Sequence, residues 1–288
     1  MKALIDGDVL LYRSCWACQK THYTHRKTGE FFDGKLKARK WYQDEYLDGF
    51  KRDKKAPLPD WDLDWDIVEE IEPFKNVKFL LNNYIKEICD VGKAEEYAVY
   101  LSPPRNFRHD IAKTAEYKAG RPPPPHHIEE ARAHMFRVHK AEVGDNIEAD
   151  DLLGLNQTTD TFIASVDKDL LMIPGRHYDI VKKTKQIVDL LAADDWFFMQ
   201  LIMGDKTDNI KGLAGYGPKK AQDLVASYAG DMIGLVQDIE ELYTMQYGSR
   251  GKDVMIEHAQ LVYILRPGDE PGKEQWRKML LLDEQQGT

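Results

Sequence analysis

The chain of 288 residues contains only three cysteines, no uninterrupted apolar run of about eighteen residues, and no internal repeat. Three cysteines cannot form a disulfide framework, which points to a reducing compartment. Without a long apolar run there is no candidate membrane-spanning helix, and no membrane partner is expected. The opening Met1-Lys2-Ala3-Leu4-Ile5-Asp6-Gly7-Asp8 places acids where a secretion signal needs an apolar stretch, so a cytoplasmic location is expected. Residues 60–72 lack any base and hold seven acids: Asp60, Asp62, Asp64, Asp66, Glu69, Glu70 and Glu72. That stretch reads as a solvated face.

What is present is enough for a sizeable core: 42% of residues are hydrophobic and 10% aromatic. The net charge is −9, which taken alone disfavours a polyanionic partner. The average hides segregation, however. Residues 105–140 carry eight bases (Arg105, Arg108, Lys113, Lys118, Arg121, Arg132, Arg137, Lys140) against four acids, with five of the nine histidines. A chain divided in this way can hold metal cations in one place and an anion in another.

Short apolar runs ending in acids predict buried strands at Lys2–Asp6 and at 161–166, with further strands at 97–101, 137–140 and 178–181. Helices are predicted from Val9 to Ala17, within 36–50, from Pro73 to the stop at Gly92, from Ile128, over 148–156 and at 196–203, with more helices to the end. Residues 19–60 lack sustained apolar periodicity and read as a surface excursion. Strands alternating with helices indicate α/β architecture with a mainly parallel sheet, and the fading strand signal after about residue 192 indicates a C-terminal helical subdomain. The expected division is 1–190 for the core, with an insertion at 19–72, and 191–288 for the helical part.

Four acid groups stand out by position. Asp6 and Asp8 follow the first strand, Glu148, Asp150 and Asp151 open a helix, Asp167 and Asp169 end the best strand, and Asp205 and Asp208 lie in the turn after a helix. Groups at the C-terminal ends of parallel strands converge on one crevice. Crowded like charges must raise their pKa values or be offset by cations, and oxygen ligands select Mg²⁺, Mn²⁺ or Ca²⁺ over zinc. Two such ions about 3.5–4 Å apart hydrolyse phosphodiesters. Any single group is also explained by acids complementing a helix dipole; four at convergent positions favour a metal site.

Downstream, Lys211-Gly212-Leu213-Ala214-Gly215-Tyr216-Gly217-Pro218-Lys219-Lys220 forms a glycine-punctuated turn into a helix. Gly212, Gly215 and Gly217 keep it free of side chains, so backbone N–H groups and Lys211, Lys219 and Lys220 can meet a phosphate backbone without reading sequence.

Six motifs in order then carry a resemblance: Ile5-Asp6-Gly7-Asp8, Phe107-Arg108, Tyr117-Lys118-Ala119-Gly120-Arg121, Glu148-Ala149-Asp150-Asp151, Ser165-Val166-Asp167-Lys168-Asp169 and Gly204-Asp205-Lys206-Thr207-Asp208-Asn209-Ile210. Over roughly residues 2–225 the chain resembles the 5′-nuclease superfamily of flap endonucleases, bacteriophage 5′-to-3′ exonucleases and the 5′-nuclease domains of bacterial DNA polymerases. The Asp-Gly-Asp start and His258-Ala259-Gln260-Leu261 look most like the phage enzymes, implying an infected bacterial host. The resemblance implies a PIN-like core, an arch or clamp over 102–135, and a helix–three-turn–helix at about 203–228 that holds duplex DNA. It implies two Mg²⁺ (Mn²⁺ substituting) held by Asp6, Glu148, Asp150, Asp151, Asp167, Asp169, Asp205 and Asp208. K⁺ is implied at the helix–three-turn–helix. Lys118 and Arg121 would act on the scissile phosphate, with Arg108 and Tyr117 among the DNA contacts. The implied substrate is DNA with a 5′ end or 5′ flap, and no oligomer is expected. The alternatives are a PIN-type ribonuclease and a non-catalytic DNA-binding protein. One departure is clear: Ser102-Pro103-Pro104 stands where many members have an aspartate, so that ligand is missing or replaced by Asp8.

Cys15, Cys18, His22 and His25 have zinc-knuckle ligand types, but a helical spacing would put Cys15 and His25 roughly 15 Å apart. Buried structural cysteines are the stronger reading. Trp41-Tyr42 among lysines suits either base stacking or core packing.

Overall fold

The computed structural model describes residues 1–46, 61 and 63–280. In chain order, β1 (Lys2–Asp6) leads into α1 (Gly7–Ala17), then β2 (Gln19–His25), β3 (Phe31–Asp33), α2 (Lys35–Trp41) and β4 (Trp65–Ile71). Next come α3 (Phe74–Gly92), β5 (Glu96–Leu101), α4 (Arg108–Ile111), α5 (Ile128–His139), β6 (Glu142–Val143), α6 (Ala149–Leu155), β7 (Thr161–Ser165), β8 (Gly175–Asp179) and β9 (Thr184–Val188). The rest is α7 (Leu190–Met203), a small ribbon of β10 (Gly204–Asp205) and β11 (Ile210–Lys211), α8 (Pro218–Ser227), α9 (Met232–Tyr247) and α10 (Gly251–Val262).

The chain divides into two compact units: 1–10, 84–123 and 135–288 make the first, 11–83 and 124–134 the second. The boundary falls within α1, α3 and α5. Residues 191–280 belong to the same unit as the sheet, so the division expected near 190 is not where the contacts separate the chain.

The first unit is α/β. Its sheet runs β6-β5-β1-β7-β8-β9, parallel except where β9 returns antiparallel beside β8. Ala3, Leu4 and Ile5 on β1 are at most 1% exposed, as a strand covered on both faces should be. Burying each of the two larger side chains contributes about 1.5–3 kcal/mol. β1 lies between β5 and β7, with Asp6 opposite Tyr100 and Ile5 opposite Ala164, so the connections leave this point in opposite directions. A crevice opens at the carboxyl end of such a switch point. Gly7 permits the tight exit: a Cβ there would stand 2.6 Å from the Tyr100 carbonyl oxygen and 2.7 Å from Leu101 Cδ2. Among the described residues no helix is long and apolar enough to cross a membrane.

The second unit holds a three-stranded antiparallel sheet, β3-β2-β4, over an aromatic core of Tyr23, Tyr42, Trp61 and Trp65. These strands were not predicted, because polar and aromatic residues replace aliphatic alternation in them. Tyr42 is buried in this core and Trp41, partly buried, packs against it. Within the acidic stretch, Asp64 is buried against Tyr42 and Lys27, Asp66 pairs with Arg26 and Glu70 with His22, while Asp60 and Asp62 lie outside the described residues. Cys15 and Cys18 are buried, and burial, reinforced by Cys18 and Glu130, pushes the Cys15 thiol up to about 12. The strand expected at 137–140 is instead the end of α5, with only the short β6 beyond it.

Candidate active site

All nine predicted carboxylate positions lie in the first unit, around the carboxyl edge of β1 and β7. Asp6, at the end of β1, is 3% exposed; its oxygens accept the Val9 N–H at 3.1 Å and the Ser165 hydroxyl at 2.6 Å. Asp8 accepts the Ser102 N–H at 2.9 Å, and the Ser102 hydroxyl oxygen accepts the Ala149 N–H at 3.0 Å. Ser102 is thus used to join β5 to the start of α6.

The α6 start shows how one turn aims three carboxylates apart. At about 100° per residue, neighbours face different partners. Glu148 accepts from Asn106 Nδ2 at 2.6 Å and pairs with Lys118. Burial alone would raise Glu148, but Arg108 and Lys118 hold it below its ordinary value. Asp150 faces Asp6 and Asp167, and loss of hydration followed by those two charges pushes it well up. Asp151 turns the other way. Its carboxylate takes Arg108 Nη1 at 2.7 Å and Nη2 at 2.9 Å, the Glu148 N–H at 3.0 Å and the Leu265 N–H at 3.2 Å.

That pair corrects two expectations. Asp151 is 0% exposed with its oxygens saturated, so it is not available as a metal ligand in this arrangement. Arg108, 2% exposed, also donates to the Leu261 and Tyr263 carbonyls at 3.0 and 2.7 Å, so it ties the chain together and does not face DNA. Tyr117 is likewise 5% exposed, its hydroxyl 2.6 Å from Asp208 and 3.2 Å from Glu148, inside the site and not on a DNA-facing surface.

The acids then sort into two sets. Glu148 has Lys118, Asp151 has Arg108, and Asp208 has Arg121. Asp6, Asp150, Asp167, Asp169 and Asp205 form no ion pair with any described residue. Desolvation, with help from Asp8, raises Asp6 to about 7. Desolvation, then Asp167 and Asp205, raises Asp169 to about 8, and Asp169 shares a hydrogen bond with Asp205. Asp167 is raised too, mainly by desolvation. Gln200, buried on α7, donates to Asp169, a contact 31 residues apart that no local pattern announces.

Among the described residues, no three His, Cys, Asp or Glu side chains stand as a ready-made ligand set. The five aspartates nevertheless suit divalent cations: they are hard oxygen donors sharing a cleft, none in an ion pair with a described base, and the charge of Lys118 only partly offsets Asp150 and Asp167. Binding would have to draw them closer.

Lys118 sits in the left-handed region at φ 59°, sparsely used by residues with a Cβ, and its N–H donates to the Asp208 carbonyl at 3.0 Å. Arg121 is about half exposed, paired with Asp208, which raises its pKa against the opposing effect of burial. At the turn after α7, Gly212 serves packing: a Cβ would stand 2.2 Å from the Met203 carbonyl carbon. Gly215 (φ +81°) and Gly217 are open to solvent, and Gly217 with Pro218 starts α8 so that Lys219 and Lys220 flank an exposed helix N-terminus. Lys211 is exposed on β11.

No family model matches the chain. DNA polymerase I of Bacillus caldotenax is 25% identical over 185 residues, 55% of this chain and 20% of the polymerase. A 5′-3′ exonuclease of Mycoplasmopsis pulmonis is 25% identical over 185 residues, 54% of this chain and 60% of its own length. The chain thus spans a fifth to three-fifths of these relatives. In structure it is similar to the flap endonuclease of bacteriophage T5, solved with DNA and metal ions, at a TM-score of 0.52 and 14% identity over 99% of this chain and 98% of that one. The fold and cleft therefore define an α/β protein with an acidic crevice at the carboxyl edge of a mainly parallel sheet. In sequence the chain is similar to proteins named 5′-3′ exonuclease and DNA polymerase I, and in fold to the T5 enzyme.

Proposed function

We propose that the chain is a divalent-metal-dependent DNA nuclease, a 5′-to-3′ exonuclease and flap endonuclease acting in DNA replication, recombination or genome degradation. The observation that carries this is the sorting of the cleft, where five aspartates without a base lie beside three acids that have one. Asp6, Asp150, Asp167, Asp169 and Asp205 would hold two Mg²⁺, with Asp8 and Asp208 at the margin; Mn²⁺ would substitute, and K⁺ at the turn 203–228 belongs to the same reading. Held there, such ions would supply a lowered water pKa, so that hydroxide is available at neutral pH, and positive charge against the leaving oxygen.

The protein's own groups supply the rest. Lys118 and Arg121 are held at the cleft mouth by acids, so an arriving phosphate oxygen takes over a preplaced cation. Such cations stabilise the transition state and are worth about 10²–10³ in rate. Lys211, Lys219, Lys220 and the N–H groups at Gly215 and Gly217 offer a phosphate-backbone contact that carries no sequence information.

The test is a 5′-end-labelled duplex and a 5′-flap substrate incubated with Mg²⁺ and with EDTA. Short labelled products that vanish in EDTA support the reading. Cleavage of RNA but not DNA under equal salt would replace it with the ribonuclease alternative, and binding without turnover at any Mg²⁺ or Mn²⁺ concentration would replace it with a non-catalytic one.

A further inference from the structure

Residues 112–121, which carry Tyr117, Lys118 and Arg121, contain no helix or strand. Something else must fix where these side chains stand, because a loop with no ladder of its own takes its shape from its anchors. One anchor is the acidic turn itself: Lys118 N–H donates to the Asp208 carbonyl, and Asn209 Nδ2 donates to the Glu116 carbonyl at 2.9 Å. The other comes from the middle of α10, about 140 residues later in the chain. Glu257 Oε1 accepts three hydrogen bonds, from Lys113 N–H at 2.8 Å, Thr114 N–H at 2.7 Å and the Thr114 hydroxyl at 2.9 Å.

This anchor is rigid. Glu257 is 8% exposed, and its neighbour His258 is 1% exposed, with Nε2 3.3 Å from Thr114 Oγ1 and Nδ1 2.9 Å from Tyr243 Oη. Tyr243 on α9 donates in turn to the Leu201 carbonyl on α7 at 2.8 Å. Three helices are therefore fastened to the point three residues before Tyr117, and no member of the chain touches the acidic cleft.

We propose that Glu257 is a positioning residue for Lys118 and Arg121, setting their reach into the cleft by length and not by charge. The inference rests on the nuclease reading above, in which those two side chains act on phosphate. Glu257→Gln keeps an oxygen acceptor at the same reach, whereas Glu257→Asp keeps the charge and withdraws it by one methylene. A misplacement of about 1 Å can cost 10²-fold in rate.

The experiment measures kcat and KM on the flap substrate for both variants, alone and combined with Lys118→Ala. Amide hydrogen exchange at 113–118 is followed in the same proteins. The expected result is that Glu257→Gln stays within about threefold of wild type, while Glu257→Asp loses roughly 10–10²-fold in kcat with KM little changed and exchanges faster at 113–118. In the Lys118→Ala background, Glu257→Asp costs less than it does alone, since the part of the loss that passes through Lys118 is already gone. A Glu257→Gln enzyme as impaired as Glu257→Asp, or losses that multiply fully with Lys118→Ala, would overturn the proposal. If wild type shows no Mg²⁺-dependent cleavage, the nuclease reading fails on its own, and exchange at 113–118 still decides whether Glu257 fixes the loop.

Discussion

The two sides of the acidic cleft are built from the same residue types and behave differently. On one side Arg108, Lys118 and Arg121 meet Asp151, Glu148 and Asp208, so the charges are offset inside the protein. On the other, Asp6 and Asp169 are pushed up to about 7 and about 8 by burial and by neighbouring aspartates, Asp8 beside the first and Asp167 and Asp205 beside the second. The first side holds the chain together; the second is left needing a cation. An aspartate's role here follows from whether a base stands against it, and Asp150 and Asp151, adjacent in sequence, fall on opposite sides.

That contrast breaks most sharply at the unpaired side. Asp167→Asn or Asp150→Asn should lower hydrolysis by roughly 10³-fold, taking several kcal/mol of charge stabilisation at tenfold per 1.36 kcal/mol, while DNA binding by gel shift persists. Full activity in either variant would remove that side from the chemistry. On the paired side Arg108→Ala should act on stability instead. It leaves Asp151 buried without its partner, at a cost of about 3–5 kcal/mol in urea unfolding. A cost under about 1 kcal/mol would mean the pair is not structural. Lys118→Ala sits where the two sides meet and should lose about 10²–10³ in kcat with the fold intact; an unchanged kcat would detach Lys118 from the phosphate.

Much of this contrast lay in the sequence. β1, β5 and β7 follow from short apolar runs, and acids after such runs follow from the sheet's geometry. What the sequence could not convey is which base meets which acid. Arg108 lies in a basic segment and reads as a DNA contact, yet it closes contacts to Asp151, Leu261 and Tyr263, up to 155 residues away. The partners of Tyr117, and the roles of Gln200 and Glu257, were hidden for the same reason. The β2–β3–β4 sheet was missed because its core is aromatic, and helix α5 overran an expected strand because nothing local stops it before His139.

Smaller effects sharpen the comparison. Carboxylates raised in the folded state bind more protons than the unfolded chain does, so their contribution is complete below about pH 4 and lost as pH passes 7 to 8. The metal-free protein should therefore melt lower at pH 8.5 than at pH 6, and Mg²⁺ should raise Tm more at pH 8.5, by at least about 2–4 °C. Equal Mg²⁺ shifts at both values would contradict the charge argument. Lys219→Ala should only weaken DNA binding, by a similar factor for every sequence, and lower the salt slope by about 1; an unchanged slope would place the backbone contact elsewhere.

The most direct measurement is the number of protons released when Mg²⁺ binds near pH 7, by calorimetric titration in two buffers of different ionisation enthalpy. With Asp6 and Asp169 titrating at about 7 and about 8, Mg²⁺ should displace protons, and Asp169→Asn should release fewer. Heats that do not depend on the buffer, or no saturable Mg²⁺ binding at all, would contradict the account.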